Sequence, residues 1–343
     1  MDKEVLAASI NEDVIAIVGK TDDGMVQVLS DGYDRITISL DDLSKSENEN
    51  ETTLALTKGV LAGMKRWGYQ VGGFQAYITS DVLIGAGLSS SAAYETIVGT
   101  IVSGLYNDMQ ISPVEIARIG QYAENVYFGK PCGLMDQMAS SVGGMVHINF
   151  ENPEKPIVNQ IEFDMEQYGY SLCITDTKGS HANLTAEYAA VPAEMKQIAE
   201  YFGKEVLAKV SRQELLSAIP IIRQQISDRA LLRALHFVEE NIRVRKEVQA
   251  LQEQELDCFL EQVQESGNSS FKYLQNVYAN SDVQHQNLSV ALAVSEMILG
   301  GQGVSRVHGG GFAGTIQAFV KNKDLTCIKN RWMLYLEMAL ARC

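Results

Sequence analysis

Alternating and helical spacing of apolar residues succeed one another along this chain. Residues 5–10, 14–18, 26–29 and 35–39 are short β-prone runs separated by Asn, Asp and Gly, which predicts an antiparallel sheet. Helical spacing takes over at 52–67, with Leu54, Leu61 and Met64 as the buried stripe and Gly68 as the stop. Alternation returns at 74–79, and residues 94–105, apolar and free of proline, predict a second helix. Ser112 and Pro113 form an N-cap and first-turn pair for a helix over 114–127 that ends at Gly129. Strands are predicted at 145–150 and 169–175. A capping-box pair, Ser211 and Glu214, precedes a long helix over 228–252, and more helix follows as far as Leu299. The pattern closes as strand, glycine turn and strand over 304–307, 309–314 and 315–320. No internal repeat or low-complexity stretch interrupts it.

Between the strand at 74–79 and the helix at 94–105 lies D-V-L-I-G-A-G-L-S-S-S-A-A, residues 81–93. Gly85 and Gly87 allow close backbone approach, while Ser89, Ser90 and Ser91 place hydroxyls beside amides that have no partner in a first helical turn. Such a loop favours a phosphate through its amides and the helix dipole, and a serine there can reach a phosphate-bound Mg²⁺. A small-residue turn with a serine N-cap is the plainer alternative. No G-K-[S/T] follows the glycines at Walker spacing, and no G-x-G-x-x-G follows a first strand, which sets aside both of those nucleotide folds.

Composition narrows the partners. A chain of 343 residues, 46% hydrophobic, is long enough for two ordinary cores, and two domains are expected, 1–167 and 168–343. A net charge of −15 argues against a nucleic-acid or anionic-membrane partner, since neutralising phosphates takes clustered Lys and Arg. No apolar run approaches a membrane span and the N-terminus M-D-K-E has no signal-peptide core, so a cytoplasmic location is expected. The five cysteines are scattered without C-x-x-C spacing and are expected to be reduced.

Three motifs in order carry a family resemblance. G-L-S-S-S-A-A resembles the second motif of the GHMP small-molecule kinases; P-C-G-L-M-D-Q, residues 131–137, resembles the segment that marks galactokinases among them; and G-G-G-F-A-G, residues 309–314, resembles the third motif. The resemblance implies an α+β, two-domain GHMP kinase fold, with an N-terminal mixed sheet and helix domain and a C-terminal ferredoxin-like sandwich. It implies ATP as phosphate donor, with Gly85, Ala86, Gly87, Leu88, Ser89, Ser90 and Ser91 around its phosphates. Mg²⁺ would lie on Ser91 and Glu124, Asp136 would be the catalytic base, and Gly133, Asp136 and Tyr188 would contact the sugar. Gly309, Gly310 and Gly311 would pack the backbone close to the first loop and the nucleotide. Without the family context, Glu124 reads as a solvated helix residue, Asp136 as a helix cap and the glycine run as a tight hairpin. The implied partners are galactose and ATP, and a monomer is expected.

The resemblance departs from the family at both ends. In galactokinases a G-E-H-x-D-Y-type segment, carrying an arginine that pairs with the catalytic aspartate, stands ahead of a strand like V-L-A-A-S-I; here only M-D-K-E precedes that strand. A poor base and slow turnover are therefore expected, Asp136 lying buried without its arginine. The tail R-W-M-L-Y-L-E-M-A-L-A-R-C also departs, and back-translated and read one base earlier from Trp332 it yields a family-like ending, which predicts a frameshift near Arg331; an amphipathic tail helix is the alternative. Arginines common after the sugar-contacting tyrosine are replaced by A-A-V-P-A-E-M. Three functions remain in play: galactose phosphorylation, a non-catalytic sugar- and nucleotide-binding regulator, and a GHMP kinase for a related sugar such as N-acetylgalactosamine.

Overall fold

The computed structural model describes residues 4–82, 88–152, 155–180, 184–336 and 340–341. Gly85, Ala86, Gly87 and His181 lie outside these residues. The chain divides into two compact units, one of Ala7–Val146 and one of Met1–Leu6 with His147–Cys343.

Strand β1 (Glu4–Ala8) is followed by β2 (Val14–Lys20), β3 (Met25–Ser30) and β4 (Ile36–Ser39). Helix α1 (Thr53–Arg66), strand β5 (Phe74–Ser80) and helix α2 (Ser90–Tyr106) come next. The four-stranded sheet runs β2-β5-β3-β4. It is mixed: β3 pairs antiparallel with β4 but parallel with β5, and β1 belongs instead to a sheet β1-β6-β7. This corrects the antiparallel expectation: β5, which enters the sheet after α1, lies between β2 and β3 and runs antiparallel to the first and parallel to the second.

The inward face of this sheet is Val26, Val28, Ile38, Phe74, Ala76 and Ile78, all buried, and it packs on Leu61 and Met64 of α1 and Val98 and Val102 of α2. The Thr52 hydroxyl caps α1 by accepting from the Ala55 amide, so the helix starts one residue after the position expected from its spacing. Helix α3 (Pro113–Tyr122) opens with a complete capping box between Ser112 and Glu115. It passes without a break into a π-helical turn, Ala123–Phe128, which Gly129 ends at φ 87°. Helix α4 (Met135–Val142) and strand β6 (Met145–Asn149) follow.

Strands β7 (Ile157–Ile161) and β8 (Tyr170–Asp176) lead into helices α5 (Thr185–Tyr201), α6 (Arg212–Gln225), α7 (Asp228–Gln252), α8 (Leu256–Ser269) and α9 (Asn287–Leu299). The Ser211–Glu214 capping box is present, and α7 has the bounds that the sequence predicts. Strands β9 (Val304–Val307) and β10 (Thr315–Lys321), helix α10 (Leu325–Leu336) and the short β11 (Leu340–Ala341) end the chain. The sheet β11-β8-β10-β9 is antiparallel throughout.

Helix α10 carries the chain to Leu336. Its Trp332 is 1% exposed and packs in one cluster with Cys173, Leu299, Ala318, Val320 and Ile328, whereas Leu334 and Tyr335 are exposed. Cys173, fully buried on β8, is disulfide-bonded, which corrects the expectation of five reduced thiols; spacing along a chain says little about which thiols a fold brings together. Cys132, Cys258 and Cys327 are free. Among the described residues no helix is long and apolar enough to cross a membrane.

Candidate active site

Helix α2 begins at the serines rather than at Tyr94, and that shift defines the site. Ser89 occupies the N-cap position in the left-handed region, at φ 56° and ψ 46°, where a non-glycine residue carries strain. Its side chain makes no cap bond. The hydroxyl instead donates to Asp136 Oδ2 at 2.7 Å. The amides of the first turn of α2 are thus left uncapped by the residue placed to cap them, and an anion is their natural complement.

Two residues further on, the Ser91 hydroxyl donates to Glu124 Oε1 at 3.2 Å. Glu124 stands on the π-helical turn, whose wider winding lets the Glu124 carbonyl accept from both the Gly129 and the Lys130 amides. Such turns recur at functional sites because they re-aim a side chain without breaking the helix. Glu124 is 3% exposed, which replaces the solvated-helix alternative with a buried carboxylate. Asp136, in the first turn of α4, is only half-buried, and its neighbour Met135 is exposed. That corrects the expectation of a buried, apolar setting for Asp136: α4 turns its Gln137 and Met138 side inward and leaves Asp136 at the edge of the packing. Gly133 is exposed with open space at its Cβ position.

Behind Ser91 and Glu124 lies a layer that the sequence reading did not assign. Gln137 donates through Nε2 to Glu124 Oε2 at 2.8 Å and to Glu95 Oε2 at 3.1 Å. The amide nitrogen faces Glu124, since its oxygen would repel that carboxylate. Glu95 and Gln137 are each 1% exposed. Burial first, and then the neighbouring Glu124 carboxylate, push the Glu95 carboxyl up to about 9. The same two causes in the same order raise the Cys132 thiol to about 12, so it is inert at neutral pH. Glu95 had a legible signal: a carboxylate one helical turn after Ser91 on an otherwise apolar helix needs a partner.

Ser91 and Glu124 suit Mg²⁺. They offer a hydroxyl and a carboxylate, both hard oxygens, and their 3.2 Å separation is near the ~2.9 Å between adjacent ligands of an octahedral ion bonded at about 2.0–2.1 Å. Among the described residues no three or more His, Cys, Asp or Glu side chains are grouped to hold a metal, so a cation here would draw its other ligands from phosphates and water, as Mg²⁺ commonly does.

In the other unit, the Tyr188 hydroxyl donates to the Gly311 carbonyl at 2.7 Å and its ring meets Phe312 edge-on at 5.3 Å. Gly311 has φ 82°, and a Cβ there would collide with the Asn276 carbonyl, so only glycine fits. Asn276 also donates to the Gly310 carbonyl at 3.2 Å. Tyr188 and the run Gly309, Gly310 and Gly311 are therefore one packed group, while Ser89, Ser91, Glu124 and Asp136 are another.

The class that these features define is the GHMP kinases: the model of the GHMP kinases N terminal domain matches residues 55–144, the stretch that holds Ser89, Ser91, Glu124 and Asp136. Among curated proteins the chain is 28% identical over 320 residues to a galactokinase of Streptomyces coelicolor, spanning 93% of this chain and 80% of that one. It is 30% identical over 288 residues to a galactokinase of Thermotoga petrophila, spanning 84% and 77%. In fold it resembles a Lactococcus lactis galactokinase solved with galactose, at TM-score 0.82 and 22% identity over 99% of this chain and 88% of that one. Within its class the chain belongs to the galactokinase family.

Proposed function

We propose that this protein transfers the γ-phosphate of ATP to galactose, giving galactose 1-phosphate and ADP, as a cytoplasmic monomer. The observation that carries the reading is the Ser89–Asp136 hydrogen bond of 2.7 Å, which puts a carboxylate at the mouth of an uncapped helix N-terminus. Phosphoryl transfer asks little covalent chemistry of a protein; it asks that phosphate, metal and acceptor hydroxyl be held in line. The first-turn amides of α2 and the loop ahead of it hold the phosphates. Ser91 and Glu124 hold Mg²⁺, which supplies charge neutralisation to the phosphates when bound. Asp136 accepts or orients the proton of the sugar's anomeric hydroxyl, and it is available for this because its hydrogen-bond partner among the described residues is a rotatable hydroxyl. By the family resemblance, Gly133 and Tyr188 are the further candidates for contact with the sugar.

Phosphorus NMR of the protein with ATP, Mg²⁺ and galactose tests this. The expected result is a galactose 1-phosphate resonance that grows with time, with a smaller rate for N-acetylgalactosamine. ATP binding without product from either sugar would replace this reading with that of a non-catalytic regulator.

A further inference from the structure

The layer behind the metal ligands has an arrangement of its own. The Gln137 carboxamide nitrogen reaches two carboxyls on two different elements, Glu95 on α2 at 3.1 Å and Glu124 on the π-helical turn at 2.8 Å, with the Cys132 sulfur a longer third acceptor at 3.6 Å. Glu124 is divided in turn: Oε2 is held by Gln137 and Oε1 faces Ser91. Helix α3 presses on the pair, since a Cβ at Gly120 would lie 3.0 Å from Glu95 Oε2 and 3.3 Å from Gln137 Cγ. Neither Glu95 nor Gln137 is free to take another rotamer at that density.

We propose that Gln137 and Glu95 are positioning residues of the Mg²⁺ site: the Glu95 carboxyl anchors the Gln137 carboxamide, which holds one oxygen of Glu124 and leaves the other turned to the Ser91 hydroxyl. This rests on the assignment of Ser91 and Glu124 to the metal. A ligating carboxylate that is not held must be ordered by the ion itself, at a cost in affinity, so an outer partner works by fixing the ligand beforehand. The role requires a two-hydrogen donor at position 137. A methionine there keeps the volume and removes both hydrogens, and a glutamate would set three carboxyls against one another. At position 95 it requires only an acceptor of the right length, which glutamine supplies and methionine does not.

The test measures Mn²⁺ binding by electron paramagnetic resonance on the full chain with a non-hydrolysable ATP analogue, alongside thermal melting. Gln137→Met is expected to weaken Mn²⁺ about 10- to 100-fold, as loss of an outer-shell partner does. Glu95→Met is expected to weaken it in the same direction, and Glu95→Gln to restore it. If Gln137→Met does not fold, the Glu95 pair decides: equal Mn²⁺ affinity in Glu95→Met and Glu95→Gln overturns the proposal. Glu124→Gln separates the two levels. If it weakens Mn²⁺ while Gln137→Met and Glu95→Met bind like the parent, the positioning role alone is overturned; if Glu124→Gln itself binds like the parent, the metal assignment falls and the positioning role with it.

Discussion

Glu124 and Glu194 are both carboxylates held inside the protein, one in each unit, and they are neutralised in different ways. Glu194 is gripped by two arginines, Arg233 at 2.9 Å and Arg229 at 2.5 Å, and Arg233, itself 1% exposed, also donates to the Leu274 carbonyl. Nearby on α7, Glu240 pairs with Arg243 and accepts from Ser266. Around Glu124 the partners are a hydroxyl, a carboxamide and, beyond that amide, a second carboxyl. The charges acting on Glu95 are Glu124 and Asp136 on one side and Lys130 on the other. One acidic centre is completed by the fold's own cations. Among the described residues the other is short of positive charge in a place where burying unpaired charge is expensive, and the cation of the proposed function would balance it.

Two substitutions test this contrast at its strongest. Asp136→Asn keeps the shape of the site and removes the proposed proton acceptor, so turnover should fall by about 10²- to 10⁴-fold while the melting temperature stays near the parent's. Arg233→Met should do the reverse: it leaves Glu194 with one arginine in place of two, and unfolding in urea should report a loss of about 3 kcal/mol, the low end for breaking a buried pair. Equal stability losses from both substitutions would mean that the two centres do not differ in kind. Glu124→Gln belongs with Asp136→Asn, and its several-fold loss of Mg-ATP affinity in calorimetry should come without a loss of stability.

What sequence reading reached, and what it missed, follows from the range of the interactions involved. Helix starts set by a local hydrogen bond were legible at Ser112 and Ser211, each of which caps the helix it precedes. The serines at the start of α2 were legible as a composition, but the choice Ser89 makes was not, because nothing near it in the chain says that its hydroxyl will leave the helix end for a residue 47 positions away. Gln137 escaped for the same reason, being ordinary in its own helix, whereas Glu95 stood out on an apolar helix but its partner becomes known only when α2 and α4 pack together. The parallel pairing of β3 with β5 is non-local too, since a short apolar strand carries no mark of its neighbour's direction. Trp332 is the reverse case. The composition of the tail pointed away from the family, yet the side chain is buried beside Ile328 and Val320 as a core residue would be.

Glu247 lies between the two cases, and pH brings it out. It is 7% exposed on α7, and burial is the main cause that pushes its carboxyl up to about 7, with Arg306 pulling the other way and Glu240 adding to the rise. The folded state therefore holds this proton more tightly than the unfolded chain, whose carboxyl titrates near the ordinary value of about 4.5. Its contribution is full below that value and is lost as pH rises through about 7. Glu247→Gln should match the parent at pH 4 and exceed it by an amount that grows to a plateau near pH 8, of order 3 kcal/mol for a shift of this size. A constant difference across that range would mean that Arg306 and Arg243 already neutralise Glu247 as the arginines neutralise Glu194.

The smallest effect is expected at Lys130, and it sharpens the account of the acidic centre. Lys130 is exposed, directly after Gly129 at the end of the π-helical turn, and it is the one cation among the charges acting on Glu95. If the protein balanced the Glu95 and Glu124 pair with its own charge, Lys130 would have to do it, and Lys130→Met would then both destabilise the fold and alter metal affinity strongly. An exposed lysine acting through solvent is instead screened, and such interactions amount to about 0–1 kcal/mol. Mg-ATP affinity in Lys130→Met should therefore stay within about fivefold of the parent at low salt. The difference should shrink further when the ionic strength is raised to about 0.5 M, since the screening length falls well below 10 Å. A larger, salt-insensitive loss would show that the cluster is closed by a lysine rather than held open for a metal.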